Sequence, residues 1–190
     1  AQAASPATSA AEAPQPAPVA EESKSAALAG LEGKAPESLS VDELLLVSSG
    51  QAQKKRDDAK ALSRKLQDQA DLVSDQTVQA QLLRFAADPD TAADALGAMA
   101  RAKAPVGPDL LYEVWSNKAL PATTTELARS LLSSREVRPG ASAALAVAIT
   151  LRGSASCEAI DAVLPQAASD GDRRSLWLLA KLNSRRGCGE

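Results

Sequence analysis

Cys157 and Cys188 are the only two cysteines in this chain of 190 residues, and there is no histidine at all. Cys157 opens a helix that begins near Ser156. Cys188 follows Arg186-Gly187, at the end of the next helix. In an antiparallel hairpin turning at Asp170-Gly171, the start of the first arm lies beside the end of the second. The two sulfurs are therefore expected to pair, closing a loop of about 31 residues worth on the order of 3–4 kcal/mol in the chain-entropy view. A disulfide implies an oxidising compartment. The alternatives are two free thiols or a redox switch. Two thiolates with no histidine and no clustered acids nearby make a poor zinc site, so no metal or other cofactor is expected.

The lack of histidine removes the commonest general base, the commonest metal ligand and most nucleophile triads together. What remains for catalysis is carboxylate chemistry. Asp109 and Glu113 stand one helical turn apart, beside Tyr112 and Trp115. Glu113 can be half of a carboxylate pair, but a surface acid is the plainer reading. The two aromatics, three residues apart, read as a core contact. Arg173, Arg174, Arg185 and Arg186 form a basic end, read first as helix capping and solvated charge. Aromatic residues are only 2% of the chain, and the net charge is −3. Neither favours a nucleic-acid partner.

The elements that hold these residues can be read from punctuation and periodicity. Residues 1–38 are rich in Ala, Pro, Ser and Glu, and bury too little apolar surface to offset ordering. They are expected to form a disordered or extended tether. Ala1-Gln2-Ala3 suits the position just after a small-residue cleavage site of an exported protein. Order is expected from Ser40, where Ser40-Val41-Asp42-Glu43 is a capping box. Ser48-Ser49-Gly50 weakens or breaks that first helix. From Gln51 to Ala87 there is no Pro or Gly, and Leu62, Leu66 and Val73 lie on a weak heptad seam. One reading is a single helix of about 35 residues. The other, which is favoured, breaks it at Ser74-Asp75, with Ser74 as the cap.

From Asp90 the chain alternates short helices with Pro and Gly turns, and no run alternates as a strand would. Helices are expected over 90–101, 109–117, after Pro121–Thr124 through Leu127, Leu131 and Leu132, and over 141–152, 156–168 and 172–186. Helix 141–152 is apolar nearly all round and is expected to be the most central. Pro165 is expected to kink or end helix 156–168. Helices start about 16 residues apart, so pairs recur at about 32, near the period of helical-repeat solenoids. The expected fold is all-α: an irregular stack of antiparallel helical hairpins, α-solenoid-like, behind the N-terminal tail. Its segments are 1–38, 39–87 and 88–190. No stretch is long and apolar enough to cross a membrane.

Residues 107–189 carry Gly107-Pro108-Asp109-Leu110-Leu111-Tyr112-Glu113-Val114-Trp115, Thr125-Glu126-Leu127-Ala128, Glu136-Val137-Arg138-Pro139, Asp172-Arg173-Arg174-Ser175-Leu176 and the ending Arg185-Arg186-Gly187-Cys188-Gly189. This stretch, less than half the chain, resembles the C-terminal helical regions of proteins from large-genome soil bacteria, some of which follow serine/threonine kinase domains. The resemblance implies a HEAT- or TPR-like helical stack and transfers no catalytic residue. It also implies that a Cys beside Glu158 and a Gly-Cys-Gly ending occur together. No kinase motif is present in this chain.

The expected function is a non-catalytic, extracytoplasmic (periplasmic or secreted) module that binds a protein partner through helical surfaces. The alternatives are a structural subunit of an envelope or surface complex, and a histidine-free carboxylate hydrolase. An end helix of a solenoid has a neighbour on one side only, so Leu62, Leu66 and Val73 are the expected partner-binding or self-association stripe.

Overall fold

A computed structural model describes residues 27–31 and 34–182. The expectations for residues 1–26, for Arg185 and Arg186 and for Cys188 lie outside the described residues. Nine α-helices are described: α1 Val41–Asp68, α2 Gln76–Ala86, α3 Ala92–Arg101, α4 Val106–Ser116, α5 Ala122–Leu132, α6 Ala143–Gly153, α7 Cys157–Asp161, α8 Leu164–Asp170 and α9 Arg173–Leu182. Short 3₁₀ turns occupy Pro36–Ser38, Ala70–Ser74 and Arg138–Gly140, and there is no strand among the described residues. The chain divides into two compact units, Ala1–Ala52 and Gln53–Glu190, the division falling inside α1.

In the first unit, α1 starts at the capping box. The Ser40 backbone N–H donates to Glu43 Oε2 at 2.8 Å, and the Glu43 N–H donates to Ser40 Oγ at 3.2 Å. Two helix-end donors are thereby satisfied by one reciprocal pair. The Ser48-Ser49-Gly50 step does not break the helix, contrary to the sequence expectation. The Ser48 and Ser49 hydroxyls donate back to the carbonyls of Leu45 and Leu46 and stay within the ladder. Gly50 lets Leu28 lie against the helix: a Cβ there would stand 2.6 Å from a Leu28 methyl.

In the second unit, the remainder of α1 runs on to Asp68 and then breaks. Gln69 leaves the helical region, with φ −135° and ψ 72°. A 3₁₀ turn follows, and α2 begins after Asp75, whose Oδ1 accepts the Thr77 N–H at 2.7 Å. The favoured break is thus real but wider than expected, and Asp75 rather than Ser74 is the cap. The tertiary reason is Val73, which the 3₁₀ turn carries into the core at 0% exposure.

Helices α2, α3, α4 and α5 then pack in sequence order, with α3 also against α5. Ala95, Leu96, Ala98 and Met99 fill one face of α3, and small alanines let its neighbours approach closely. The α2–α3 turn is tied by the buried Thr91 hydroxyl, which donates to the Phe85 carbonyl at 2.7 Å. Gly107 brings α4 against the end of α3, where a Cβ would stand 2.3 Å from the Met99 carbonyl oxygen. The central helix is α4, not α6. Gly107, Pro108, Leu110, Leu111, Tyr112 and Val114 of α4 are all buried. On α6, Leu145, Val147, Ala148 and Leu151 are buried while Ala143, Ala146 and Thr150 face solvent. An alanine has so little apolar area that it sits on either side at small cost.

Helix α6 packs against α8 and α9 rather than α7 alone, which makes the stack irregular. The expected helix over 156–168 is two short helices. Ser156 caps α7 by accepting the Ala159 N–H, and Pro165 lies in the first turn of α8, which it starts rather than ends. Val147, Leu151 and Ile160 form a second, smaller core, bordered by Val163, Ala167, Leu178 and Leu179. Leu178 also packs against the main core, and so joins the two.

Candidate interaction surface

Helix α9 has one face turned in and one turned out. Inward, Leu178 and Leu179 are half-buried and Ser175 is 1% exposed, its hydroxyl without a hydrogen-bond partner. Outward stand Arg173, Leu176, Trp177, Ala180 and Lys181, all exposed. Leu176 is 68% and Trp177 63% exposed, a large apolar pair on a helix whose other side is already packed. The Lys181 ammonium lies 3.2 Å from the centre of the Trp177 ring, one turn back on the same helix.

A second aromatic group lies on α4. Tyr112 and Trp115 of α4 meet edge to face, with centroids 5.6 Å apart and planes at 89°. The Arg152 guanidinium, in the last turn of α6, stands 4.6 Å over Trp115 and 5.9 Å from Tyr112. The Arg174 guanidinium lies 5.6 Å from the centre of the Tyr112 ring.

The charges on this end are unequal in their pairing. Arg174 is neutralised twice: it binds Asp109 of α4 and Asp172 just before α9. Asp172 also accepts the Arg174 backbone N–H at 2.9 Å, and so caps α9. Burial pushes the Asp172 carboxyl up, but the Arg174 hydrogen bonds and charge outweigh it, and the group lies below its ordinary value. Arg152, Arg173, Lys118 and Lys181 make no ion pair among the described residues. Desolvation and then the charges of Lys118 and Arg152 lower the Lys181 pKa. Each follows or ends a helix: Lys118 is just past α4, Arg152 is in the last turn of α6, Lys181 in the last turn of α9. The carbonyl ends of three helices supply the partial negative charge that makes this tolerable.

The sequence candidates fall as follows. Asp109, Tyr112, Glu113, Ser116 and Arg174 line a shallow cleft of about 400 Å³. Asp109 is occupied by Arg174, which leaves Glu113 with no second free carboxylate in that cleft. Tyr112 and Trp115 are a core contact, as their spacing suggests, and carry the cations Arg152 and Arg174 besides. Among the described residues no group of three His, Cys, Asp or Glu is placed to hold a metal ion. Cys157 is the first residue of α7 and exposed, and the described residues hold no free cysteine. The expected stripe of Leu62, Leu66 and Val73 is not an open surface. Leu66 is 3% and Val73 0% exposed, and Leu62 is packed against the same core. The 3₁₀ turn and α2 to α4 close over that seam, so the chain itself covers it.

The pair that does stand exposed, Leu176 and Trp177, was not singled out by sequence. In the sequence it reads as core, because apolar residues on a short terminal helix are usually buried. The one usable signal is the helical wheel, which puts Arg173, Trp177 and Lys181 on one side. No helix among the described residues is long and apolar enough to cross a membrane. Comparison with known protein families, curated proteins and solved structures finds no match.

Proposed function

We propose that this chain is a non-catalytic, extracytoplasmic module that binds a protein partner through its helical surface. The observation that carries this reading is the Leu176–Trp177 pair, exposed on α9 while the opposite side of that helix is packed. A tryptophan at the centre of a rigid, partly charged surface is the residue type that most often anchors a protein interface. In this reading the likeness of residues 107–189 to C-terminal helical regions of soil-bacterial proteins reflects a shared stacking scaffold. The extracytoplasmic assignment rests on a Cys157–Cys188 staple. Non-reducing peptide mass spectrometry of protein from its native compartment should find the linked pair, and two freely alkylated thiols there would refute it.

A photo-crosslinking residue in place of Trp177 tests the binding surface in the native cell. The expected result is one discrete heterologous adduct, absent when the probe replaces exposed Ser130 on α5. The same products from both positions, or none from 177, would sink the reading. A second reading, a structural subunit of a surface complex, draws on the first unit. There Val41, Leu44 and Leu45 are exposed on the first turns of α1, and Leu44 borders a groove of about 440 Å³ with Leu31, Pro36, Leu39 and Val47.

A further inference from the structure

We propose that the outer face of α9 receives an acidic segment of the partner: an apolar anchor seated on Leu176 and Trp177, flanked on both sides by carboxylates. This rests on the preceding reading of the same surface and adds the chemistry of what binds it.

The argument is one of charge complementarity. The face has an apolar centre, Leu176 and Trp177, with Arg173 before it and the Lys181 ammonium lying on the Trp177 ring. The contrast with Arg174 is informative. That arginine, turned toward α4, has two carboxylates of its own chain. The exposed cations Arg173, Lys118 and Lys181 make no ion pair among the described residues, although the whole chain carries a net −3. An apolar centre carrying two unpaired cations matches an interface with a dry centre and a polar rim, the rim choosing the partner by sign.

The spacing narrows the ligand further. Arg173 and Lys181 are eight residues apart, so their Cα atoms are separated along the helix by about 12 Å at 1.5 Å per residue. The Lys181 ammonium lies back on the Trp177 ring, four residues after Arg173, so carboxylates that meet both cations are about four residues apart on a helical partner, or about two apart on an extended one at 3.3 Å per residue. An anionic lipid surface is the lesser fit. Two exposed apolar side chains on a ten-residue helix offer little insertion energy, and stable membrane binding draws on a longer apolar face.

The test uses the full chain with the crosslinking probe at 177. Its competitors are a synthetic peptide with a Leu-Leu centre flanked by Glu pairs, the same peptide with Gln for Glu, and vesicles rich in phosphatidylglycerol. The Glu peptide should suppress the native adduct at concentrations about tenfold below the Gln peptide, and the advantage should shrink at high salt. The double variant Arg173→Glu with Lys181→Glu should abolish the advantage while its circular dichroism stays unchanged, since both side chains are exposed. Equal potency of the two peptides, or suppression by the vesicles alone, overturns the inference. An adduct at 177 that persists but ignores both peptides, salt and charge reversal also overturns it, and leaves the module reading standing. No adduct at 177 overturns both.

Discussion

The Arg174 guanidinium of α9 hydrogen-bonds Asp109 of α4 across 65 residues of sequence, and the same guanidinium returns to Asp172 beside its own backbone. One side chain thus fixes both the start of the last helix and its seat on the central one.

Removing that link should be measurable. Arg174→Met is expected to destabilise the chain by about 1–2 kcal/mol, because two charge-assisted hydrogen bonds are lost at a half-buried site. Asp109→Asn should cost less, and the two changes should not add. A double-mutant cycle in urea checks this, and strict additivity would mean the contact is energetically idle.

The same group gives a pH signature. Asp172 lies below its ordinary value in the fold, so its contribution to stability is fully present above the unfolded pKa near 4. It is lost as pH falls through the lower, folded value. Asp75 behaves in the same sense, held down by the Thr77 backbone N–H at the start of α2. The urea midpoint should be flat above about pH 5 and fall below about pH 4. In Arg174→Met the fall should be shallower, and an unchanged slope would remove Asp172 from the account.

Burial makes opposite forecasts for two apolar positions. Leu66→Glu places an unpaired charge in the core and should cost about 3 kcal/mol or more, enough to threaten the fold. Trp177→Ala should change stability by no more than about 0.5 kcal/mol, despite deleting the larger side chain. Thermal unfolding of the two variants decides whether the assigned inside and outside are correct.

Two glycines differ in the same way. Gly107→Ala drives a methyl into the Met99 carbonyl, which is backbone and cannot step aside, and should cost about 2 kcal/mol. Gly97→Ala, mid-helix in α3, meets only the end of the Arg101 side chain at 3.3 Å. It should stabilise by about 0.5–1 kcal/mol through helix propensity. Equal effects from the two would contradict the close approach of α3 and α4.

What the sequence discloses here is what is local. The Ser40–Glu43 capping box needs only four residues, and the helices after Asp88-Pro89 are fenced by Pro and Gly. The break at Gln69 has no such marker. It exists because Val73 is drawn into a core made by residues far along the chain. Ser74 and Asp75 are adjacent and both can cap, so only the backbone path selects Asp75. The exposed apolar face of α9 is the least legible part. Leu66, Val73, Leu176 and Trp177 are alike in type, and which pair is covered depends on helices that come later or pack from elsewhere. The Arg174–Asp109 pair is invisible for the same reason.

The two tryptophans end up in unlike settings. Trp115 is lodged under Arg152 against the main core, while Trp177 stands in the open. The molecule therefore carries two native optical reporters that need no label. Trp177 should emit at the red end and be quenched readily by acrylamide, and an arriving partner should shift and shield it. Trp115 should ignore the partner and answer only to unfolding. Fluorescence of the single-tryptophan variants then separates docking from denaturation in one cuvette.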